Sequence, residues 1–320
     1  MPTRRSPRKG SLQYWPRKRA AKILPSANWK AINSDKKLKG FIGYKAGMVS
    51  LEIKDNTENS MTKGKNIIIP GTIVECPEMK IFSVRFYKNG VVAKDVLAEQ
   101  LDKELKRAVR IPKQAKHKLD SVKTEEYDNI SVIAYSIVKK TSLKKKPDLA
   151  EIGLSGSFDE KLAYIKENIN KELNVSDIFA PSELVDTRGL TTGKGFSGPV
   201  KRFGINLKSH KSEKGQRRPG NVGPWHPARV IFRVPMAGQL GMFTRVEYNK
   251  KIVALEKSSE KPIKAIKNYG DIKTNYLILT GSVQGPSKRQ ILVTAPLRPS
   301  RMQTKKNYEF VKELRWKQKF

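Results

Sequence analysis

The segment from residue 188 to residue 233 is the part of this chain that most limits how it can fold. It contains eleven Lys or Arg side chains and a single acid, Glu213. Glycines and prolines interrupt it, and between Ile205 and Val222 it has almost no apolar side chain to bury. Burial in such a segment does not offset the entropy of ordering it, so a polyanion must order it. We expect a basic finger that penetrates nucleic acid and is carried by a compact β domain.

The formal net charge of +35 over 320 residues is unevenly distributed. Residues 75–185 hold 20 basic and 18 acidic side chains, whereas the other 209 residues hold 45 and 12. Such an excess implies a nucleic-acid or anionic membrane partner. No apolar run approaches the roughly 20 residues of a spanning helix, and no apolar signal segment follows the basic N-terminus. We expect nucleic acid, no membrane, and a cytoplasmic protein without disulfides, since Cys76 is the only cysteine.

Both ends of the chain are predicted to be basic extensions. Residues 1–39 form the predicted N-terminal arm, whose first 34 residues hold nine Lys or Arg, no acid, and the aromatics Tyr14, Trp15 and Trp29. This composition is typical of a tail that is disordered when the protein is free in solution. When RNA is present, such an arm orders along phosphates and its aromatic side chains can stack on bases. The predicted C-terminal tail, residues 298–320, holds eight basic residues and two acids, with Trp316 and Phe320 near its end.

Short runs rich in β-branched residues, separated by turn residues, predict a β domain over residues 40–75 and 184–297. A glycine-rich first strand with a bend is expected over 40–48, and Asn89-Gly90 predicts a hairpin turn. Within this domain the finger is predicted over residues 200–230. The remaining expected strands are 66–75, 81–87, 184–190, 228–234, 243–248, and a pair formed by 270–282 and 290–294.

Residues 76–183 are predicted to form a separate α/β insertion. Apolar spacing predicts a helix over 95–110, and a nearly continuous apolar run predicts a buried strand over 130–138. Ser157 and Glu160 have the spacing of a capping box for a helix that ends near Leu173. Because its charge is balanced, we expect the insertion to face solvent or neighbouring proteins.

Candidate catalytic and metal-binding motifs are weak. The sequence GLTTGKG at 189–195 is one residue too short between its glycines for a P-loop, and Gly195 replaces the hydroxyl residue that binds magnesium. None of His117, His210 and His226 has a partner at metal-ligand spacing. An RNA-modifying or nucleotide-hydrolysing enzyme with basic RNA-binding arms is the alternative, which tight binding of ATP, GTP or S-adenosylmethionine would support. We predict no enzyme and no cofactor, apart from magnesium bound by the RNA itself.

The residues predicted to contact RNA are the basic side chains of the arm and finger, with two histidines and Trp225. A tryptophan between prolines usually packs in a core or interface, but the basic residues before Trp225 favour packing against RNA. The full set is Arg4, Arg5, Arg8, Lys9, Arg17, Lys18, Arg19, Lys194, Lys201, Arg202, Lys208, His210, Lys211, Lys214, Arg217, Arg218, Trp225, His226, Arg229, and Lys288 and Arg289 of a turn at 281–289.

Five motifs, in order along the chain, resemble the large-subunit ribosomal protein L3 family. They are FIGYKAGM at 41–48, GKGFSGPVKRFG at 193–204, GNVGPWHPARV at 220–230, AGQLGMFTRVEYNKKI at 237–252 and GSVQGPSKR at 281–289. The length, the basic arm and the insertion resemble archaeal members.

The resemblance implies a mainly β fold: a translation-factor-like antiparallel β-barrel with the α/β insertion and long basic extensions. It implies a structural protein that binds large-subunit rRNA near its 3′ end early in assembly, beside other ribosomal proteins and not as a homo-oligomer. The finger would approach the peptidyl transferase centre, with Trp225 beside the path of aminoacyl-tRNA, while the RNA performs catalysis. His210 is near the position of a histidine that some eukaryotic members methylate, but its spacing to Trp225 differs by a few residues.

Overall fold

The computed structural model describes residues 10–112, 119, 126–141, 143–211 and 214–314. The chain divides into two compact units: unit 1 comes from residues 1–22 and 190–244, and unit 2 from residues 23–189 and 245–320. The fold is mainly β with antiparallel sheets, as predicted. The described strands are β1 (Gly40–Asp55), β2 (Asn66–Glu75), β3 (Met79–Lys88), β4 (Val91–Leu97), β5 (Asn129–Ser136), β6 (Leu149–Gly153), β7 (Leu184–Leu190), β8 (Phe196–Ser197), β9 (Gly238–Gln239), β10 (Thr244–Glu256), β11 (Tyr276–Thr280), β12 (Gln290–Thr294) and β13 (Tyr308–Leu314).

Seven strands form the larger sheet, in the order β12-β7-β10-β11-β2-β1-β13. Because β12 also pairs with the beginning of β1, six of these strands form a closed ring of hydrogen-bonded neighbours, and β13 pairs with the far half of β1. The register of β1 against β2 shifts between Lys45 and Gly47, within the glycine-rich start where the sequence predicts a bend. Side chains such as Phe41, Leu277 and Val293 are fully buried, so these strands supply the core.

The smaller sheet has the order β4-β3-β5-β6 and is antiparallel throughout. Its first hairpin is confirmed: Asn89 and Gly90, with φ of 51° and 76°, form the turn between β3 and β4. The capping box is also confirmed, because the Ser157 side chain accepts from the backbone of Glu160 and the Glu160 side chain accepts from the backbone of Ser157. The capped helix α1 (Phe158–Asn168) ends earlier than predicted.

Three strand and helix predictions are wrong. Residues 95–110 form the end of β4 and a 3-10 helix, Lys103–Arg107, because the hairpin pairs Val96 with Val84; the apolar residues of this segment pack without a continuous helix. Strands β11 and β12 do not pair with each other, since each lies between other strands of the ring. Residues 228–234 form no strand, and 228–233 are exposed, so no neighbouring strand satisfies their backbone.

One hydrophobic core joins both sheets of unit 2. Phe41 and Leu292 of the ring belong to the same buried cluster as Val84 and Val132 of the smaller sheet. The chain before β1 contributes to this region: Trp29 is partly buried and packs against the core, and an added Cβ at Gly40 would lie 2.8 Å from its ring.

Two further helices are short, α2 (Pro199–Phe203) and α3 (Arg301–Lys305). Among the helices that the structure describes, none has both the length and the apolar character needed to cross a membrane. Of the predicted residues, Arg4, Arg5, Arg8, Lys9, His117, Trp316 and Phe320 lie outside the described ranges.

Candidate nucleic-acid interface

Two segments of unit 1 lie side by side at the base of the finger. Strand β8 pairs with β9, the Lys194 amide donates to the Leu240 carbonyl at 2.9 Å, and the Leu240 amide donates to the Gly195 carbonyl at 2.8 Å. The approach of the two segments requires glycine at 241, where φ is 78° and an added Cβ would lie 2.0 Å from the Thr192 carbonyl oxygen. The base is therefore ordered by its own backbone.

The sequence GPVKRFG places a short helix directly after β8. Gly198 is its N-cap and Pro199 occupies the first helical position, where the missing amide hydrogen costs nothing. Gly204 ends the helix in the left-handed conformation, with φ of 68° and its amide donating to the Val200 carbonyl. Helix α2 thereby holds Arg202 and Phe203 at the base of the finger.

Arg202 was predicted to contact RNA, but the structure places its guanidinium against protein backbone. Its Nε donates to the Gln239 carbonyl at 3.0 Å, its Nη1 to the Met236 carbonyl at 3.0 Å, and its Nη2 to the Arg17 carbonyl at 3.4 Å. Burial lowers the pKa of Arg202. The side chain thus joins α2, the chain entering β9 and the N-terminal arm.

Arg17 is engaged in the same cluster. Its Nη1 donates to the Arg202 carbonyl at 3.1 Å, and its guanidinium carbon lies 4.3 Å from the centre of the Phe203 ring. Trp15 stacks on Phe203 with 6.2 Å between ring centres, and contacts Phe232 edge-on at 5.5 Å. Cation–π and aromatic contacts of this kind contribute about 0.5–1.5 kcal/mol each. We call Trp15, Arg17, Arg202, Phe203 and Phe232 the base cluster.

Beyond the base, the described part of the finger has neither helix nor strand and is mostly exposed. Local hydrogen bonds shape it, such as the Lys208 amide to the Gln216 carbonyl at 3.1 Å and the Gly223 amide to Asn221 Oδ1 at 2.9 Å. Trp225 is 88% exposed and lines a cleft of about 400 Å³ formed by residues 222–230. The packing of Trp225 in a protein core is thereby excluded within unit 1.

The structure brings most of the predicted finger residues together on one exposed segment. The exposed ones are Lys201, His210, Lys211, Lys214, Arg217, Arg218, His226 and Arg229, while Lys208 is partly buried; Lys194, which precedes the finger, is also exposed. Lys18 and Arg19 of the arm are exposed as well. Among the described residues, no cluster of His, Cys, Asp or Glu is suited to hold a metal ion.

The turn at 281–289 belongs to unit 2, and its first half forms hydrogen bonds with other parts of that unit. The Lys45 ammonium donates to the Val283 carbonyl at 2.5 Å and to the Gly285 carbonyl at 2.9 Å, and burial lowers its pKa. Buried Gln284 donates to the Thr187 carbonyl at 3.0 Å, which ties the turn to β7. At the other end of the turn, Lys288 is exposed and Arg289 is partly buried.

Sequence reasoning missed Phe203, Phe232 and Lys45 as organisers of the candidate interface. Phe203 lies next to a predicted RNA-binding arginine, and its contact with Arg17 spans 186 positions of sequence. No local pattern reports such a pairing. One local signal was present: Gly198 and Gly204 flank PVKRF and mark it as a short helix in an otherwise irregular segment. A short helix there would have indicated that Phe203 has a packing role.

Comparisons with known proteins agree across nearly the whole chain. The family model described as ribosomal protein L3 matches residues 1–317. The large ribosomal subunit protein uL3 of Methanocaldococcus jannaschii is 39% identical over 308 residues, covering 92% of each chain. The proteins of the same name from Archaeoglobus fulgidus and Methanobrevibacter smithii are each 38% identical, over 306 and 312 residues, again covering 92% of each chain.

Proposed function

This chain belongs to the ribosomal protein L3 family and is a structural constituent of the large ribosomal subunit, in which we propose that unit 1 binds rRNA through its finger. It is not an enzyme, and as part of the ribosome it is cytoplasmic. The family membership removes the alternative of an RNA-modifying or nucleotide-hydrolysing enzyme. Its partners are rRNA and other proteins of the subunit.

Binding of rRNA by the finger is supported by the exposure of its basic side chains and by their lack of carboxylate partners among the described residues. Lys211, Lys214, Arg217, Arg218 and Arg229 are exposed, and none forms an ion pair with a carboxylate among the described residues. Five like charges on one irregular segment repel one another in the free protein. Contact with RNA phosphates would remove that repulsion. Binding would also release the counterions condensed on the RNA, which favours the complex.

The base cluster indicates that the predicted RNA-binding residues have two different roles, positioning the finger and binding phosphates. Arg17 and Arg202 hold the arm and the base of the finger together, whereas the cations beyond the base remain available for phosphates. The ordered base would reduce the entropy lost when the finger binds. We therefore propose that Arg17 and Arg202 act on RNA binding by positioning the finger.

We also propose where the barrel, arm and finger lie in the ribosome. The closed ring of strands is proposed to be the translation-factor-like barrel of the family, with the arm and finger as its extensions. Binding is proposed near the 3′ end of the large-subunit rRNA, early in assembly, with the finger directed toward the peptidyl transferase centre. There, exposed Trp225 would stack on a base or act as a steric stop beside the path of aminoacyl-tRNA. His210 is exposed, and the chain is proposed to act as a single copy.

Salt dependence of binding tests the proposal. The full chain is titrated against transcribed large-subunit rRNA at several monovalent salt concentrations. If about ten phosphates are neutralised, the slope of log affinity against log salt is about −9. Neutralising four finger residues (Lys211, Lys214, Arg217 and Arg218, each replaced by Gln) should make the slope shallower by about 3. A slope near zero for the unmodified chain would contradict rRNA binding, and an unchanged slope in the variant would contradict the assignment to the finger.

A further inference from the structure

A second concentration of positive charge lies in unit 2, inside the segment whose overall charge is balanced. Residues 138–148 contain five lysines and one acid, Asp148. Without these residues, the rest of the 75–185 segment has 15 basic and 17 acidic side chains. The near-zero charge of the whole segment therefore averages a basic loop with a slightly acidic remainder.

The loop faces a cleft to which a second segment contributes. The cleft has a volume of about 440 Å³. Its lining includes Lys139, Lys144 and Lys145 from the loop, and Arg107 and one carboxylate, Glu104, from the 3-10 helix. Leu143 is the one apolar side chain of the lining. Protein–protein interfaces usually need a buried apolar or aromatic centre, which this cleft does not offer. Phosphate binding requires only cations and hydrogen-bond donors.

Described residues on both sides of position 142 anchor the loop to the fold. Val138 and Thr141 are buried, and the Thr141 hydroxyl and amide both donate to the Val138 carbonyl, at 2.8 and 3.1 Å. Leu143 packs against the hydrophobic core, and Pro147 is buried. The lysines are thus presented from an ordered turn, so binding would cost less backbone entropy than in the finger.

The acids around the cleft leave part of its charge uncompensated. Lys144 pairs with Asp148, and Lys140 pairs with Glu172 at 2.6 Å. Lys139 lies 3.5 Å from Glu104 but its side chain is 79% exposed, so that pair is weak. Arg107, Lys145 and Lys146 have no carboxylate partner within the described ranges.

We propose that this cleft binds the phosphate backbone of rRNA, as a second contact independent of the finger. Arg107 supplies a planar fork suited to two phosphate oxygens, and Lys139 and Lys145 supply point charges around it. The inference rests on the proposed rRNA binding of the chain, and it assigns part of that binding to unit 2. An acidic segment of a neighbouring protein is the competing occupant that the experiments must separate.

The first experiment compares two full-length triple variants in the rRNA titration. The test variant is Arg107→Gln/Lys139→Gln/Lys145→Gln, and the control variant removes three exposed charges elsewhere in unit 2, Lys88→Gln/Lys171→Gln/Lys257→Gln. The test variant should have a slope shallower by about 2–3, because each lost phosphate contact removes about 0.7–0.9. If the two proteins bind equally at 1 M salt, a slope shallower by two units means that the test variant binds about 100-fold more weakly than the unmodified chain at 0.1 M salt. Equal slopes in the two variants overturn the inference, while a steep slope for the unmodified chain still supports the proposed function.

The second experiment identifies the occupant in assembled large subunits. Lysines are modified with 2-iminothiolane, which crosslinks to nearby RNA under ultraviolet light, and a parallel sample is treated with a carbodiimide that joins lysines to carboxylates. RNA adducts on peptides containing Lys139 or Lys145 support the inference. Carbodiimide links from these lysines to a neighbouring protein, or no adduct of either kind, overturn it. Peptides containing Lys211 and Lys214 report the finger in the same sample, so failure of the two proposals can be distinguished.

Discussion

Replacing Arg202 by lysine separates a positioning role for this side chain from a phosphate-binding role. The substitution keeps the positive charge but removes the planar fork. The guanidinium donates to carbonyls of Gln239, Met236 and Arg17, which lie in different directions, so one ammonium group reaches only one of them well. Two hydrogen bonds are lost. We take about 1 kcal/mol for each, since these groups are partly exposed, giving a local loss of about 2 kcal/mol.

Hydrogen exchange of the base amides measures this loss directly. The amides of Lys194 and Leu240 form the paired base of the finger. A local loss of about 2 kcal/mol corresponds to about 30-fold faster exchange, because 1.4 kcal/mol is a factor of ten. The amide of Ile252, which donates to the Glu183 carbonyl at 2.9 Å in unit 2, should exchange at an unchanged rate.

Two controls make the result specific. Lys201→Gln changes the exposed residue next to Arg202 and should leave the exchange of both base amides unchanged. In the rRNA titration, Arg202→Lys should weaken binding while the salt slope stays the same, because the number of cations is kept. Unchanged exchange at Lys194 and Leu240 in the Arg202→Lys variant would refute the positioning role.

Three further predictions concern Trp225, Glu75 and Asp55. Trp225→Ala should leave the melting temperature of the free protein nearly unchanged, since this side chain is 88% exposed. Ribosomes that carry the variant should translate less efficiently. A large fall in the melting temperature of the free variant would refute the exposed position of Trp225. Glu75→Gln should lower the free energy of unfolding by about 2–4 kcal/mol in denaturant titrations. The buried carboxylate accepts hydrogen bonds from the Tyr269 hydroxyl, from the amides of residues 273 and 274, and from the hydroxyl of residue 274. An unchanged unfolding midpoint would count against this prediction. Burial alone would raise the pKa of Asp55, but hydrogen bonds from residues 57, 60 and 62 outweigh it and hold the pKa below 3.8. A depressed carboxyl pKa stabilises the fold above the unfolded value, so the stability difference between wild type and Asp55→Asn should be constant above pH 3.8 and shrink below it; a difference that grows on acidification would refute this.

Features that depend on neighbouring residues could be predicted from the sequence. The bounds of β2 agree with the apolar run at 66–75, and the Asn89-Gly90 turn and the Ser157 capping box are as expected. Each is set by local chemistry: β-branched side chains, a left-handed turn and a reciprocal side-chain cap. Apolar spacing failed at 95–110, where pairing of β4 with β3 overrides helical periodicity.

Features that depend on distant residues could not be predicted. Composition assigned Arg17 and Arg202 to RNA, because an exposed and a protein-bound arginine look alike in sequence. The structure pairs them across 185 positions. The basic loop at 138–148 was hidden in the same way, since the charge of a long segment averages out a local concentration that the fold places on one cleft.

We expect the finger to lie against rRNA in the large subunit. The most direct measurement is a cryo-EM map of large subunits purified from the cells that encode this chain, with density for the finger, residues 200–230. If the finger binds rRNA, Lys211, Lys214, Arg217 and Arg218 lie within hydrogen-bond distance of rRNA phosphates, and the Trp225 ring contacts RNA. A finger that faces solvent, or that is covered by another protein, would contradict it.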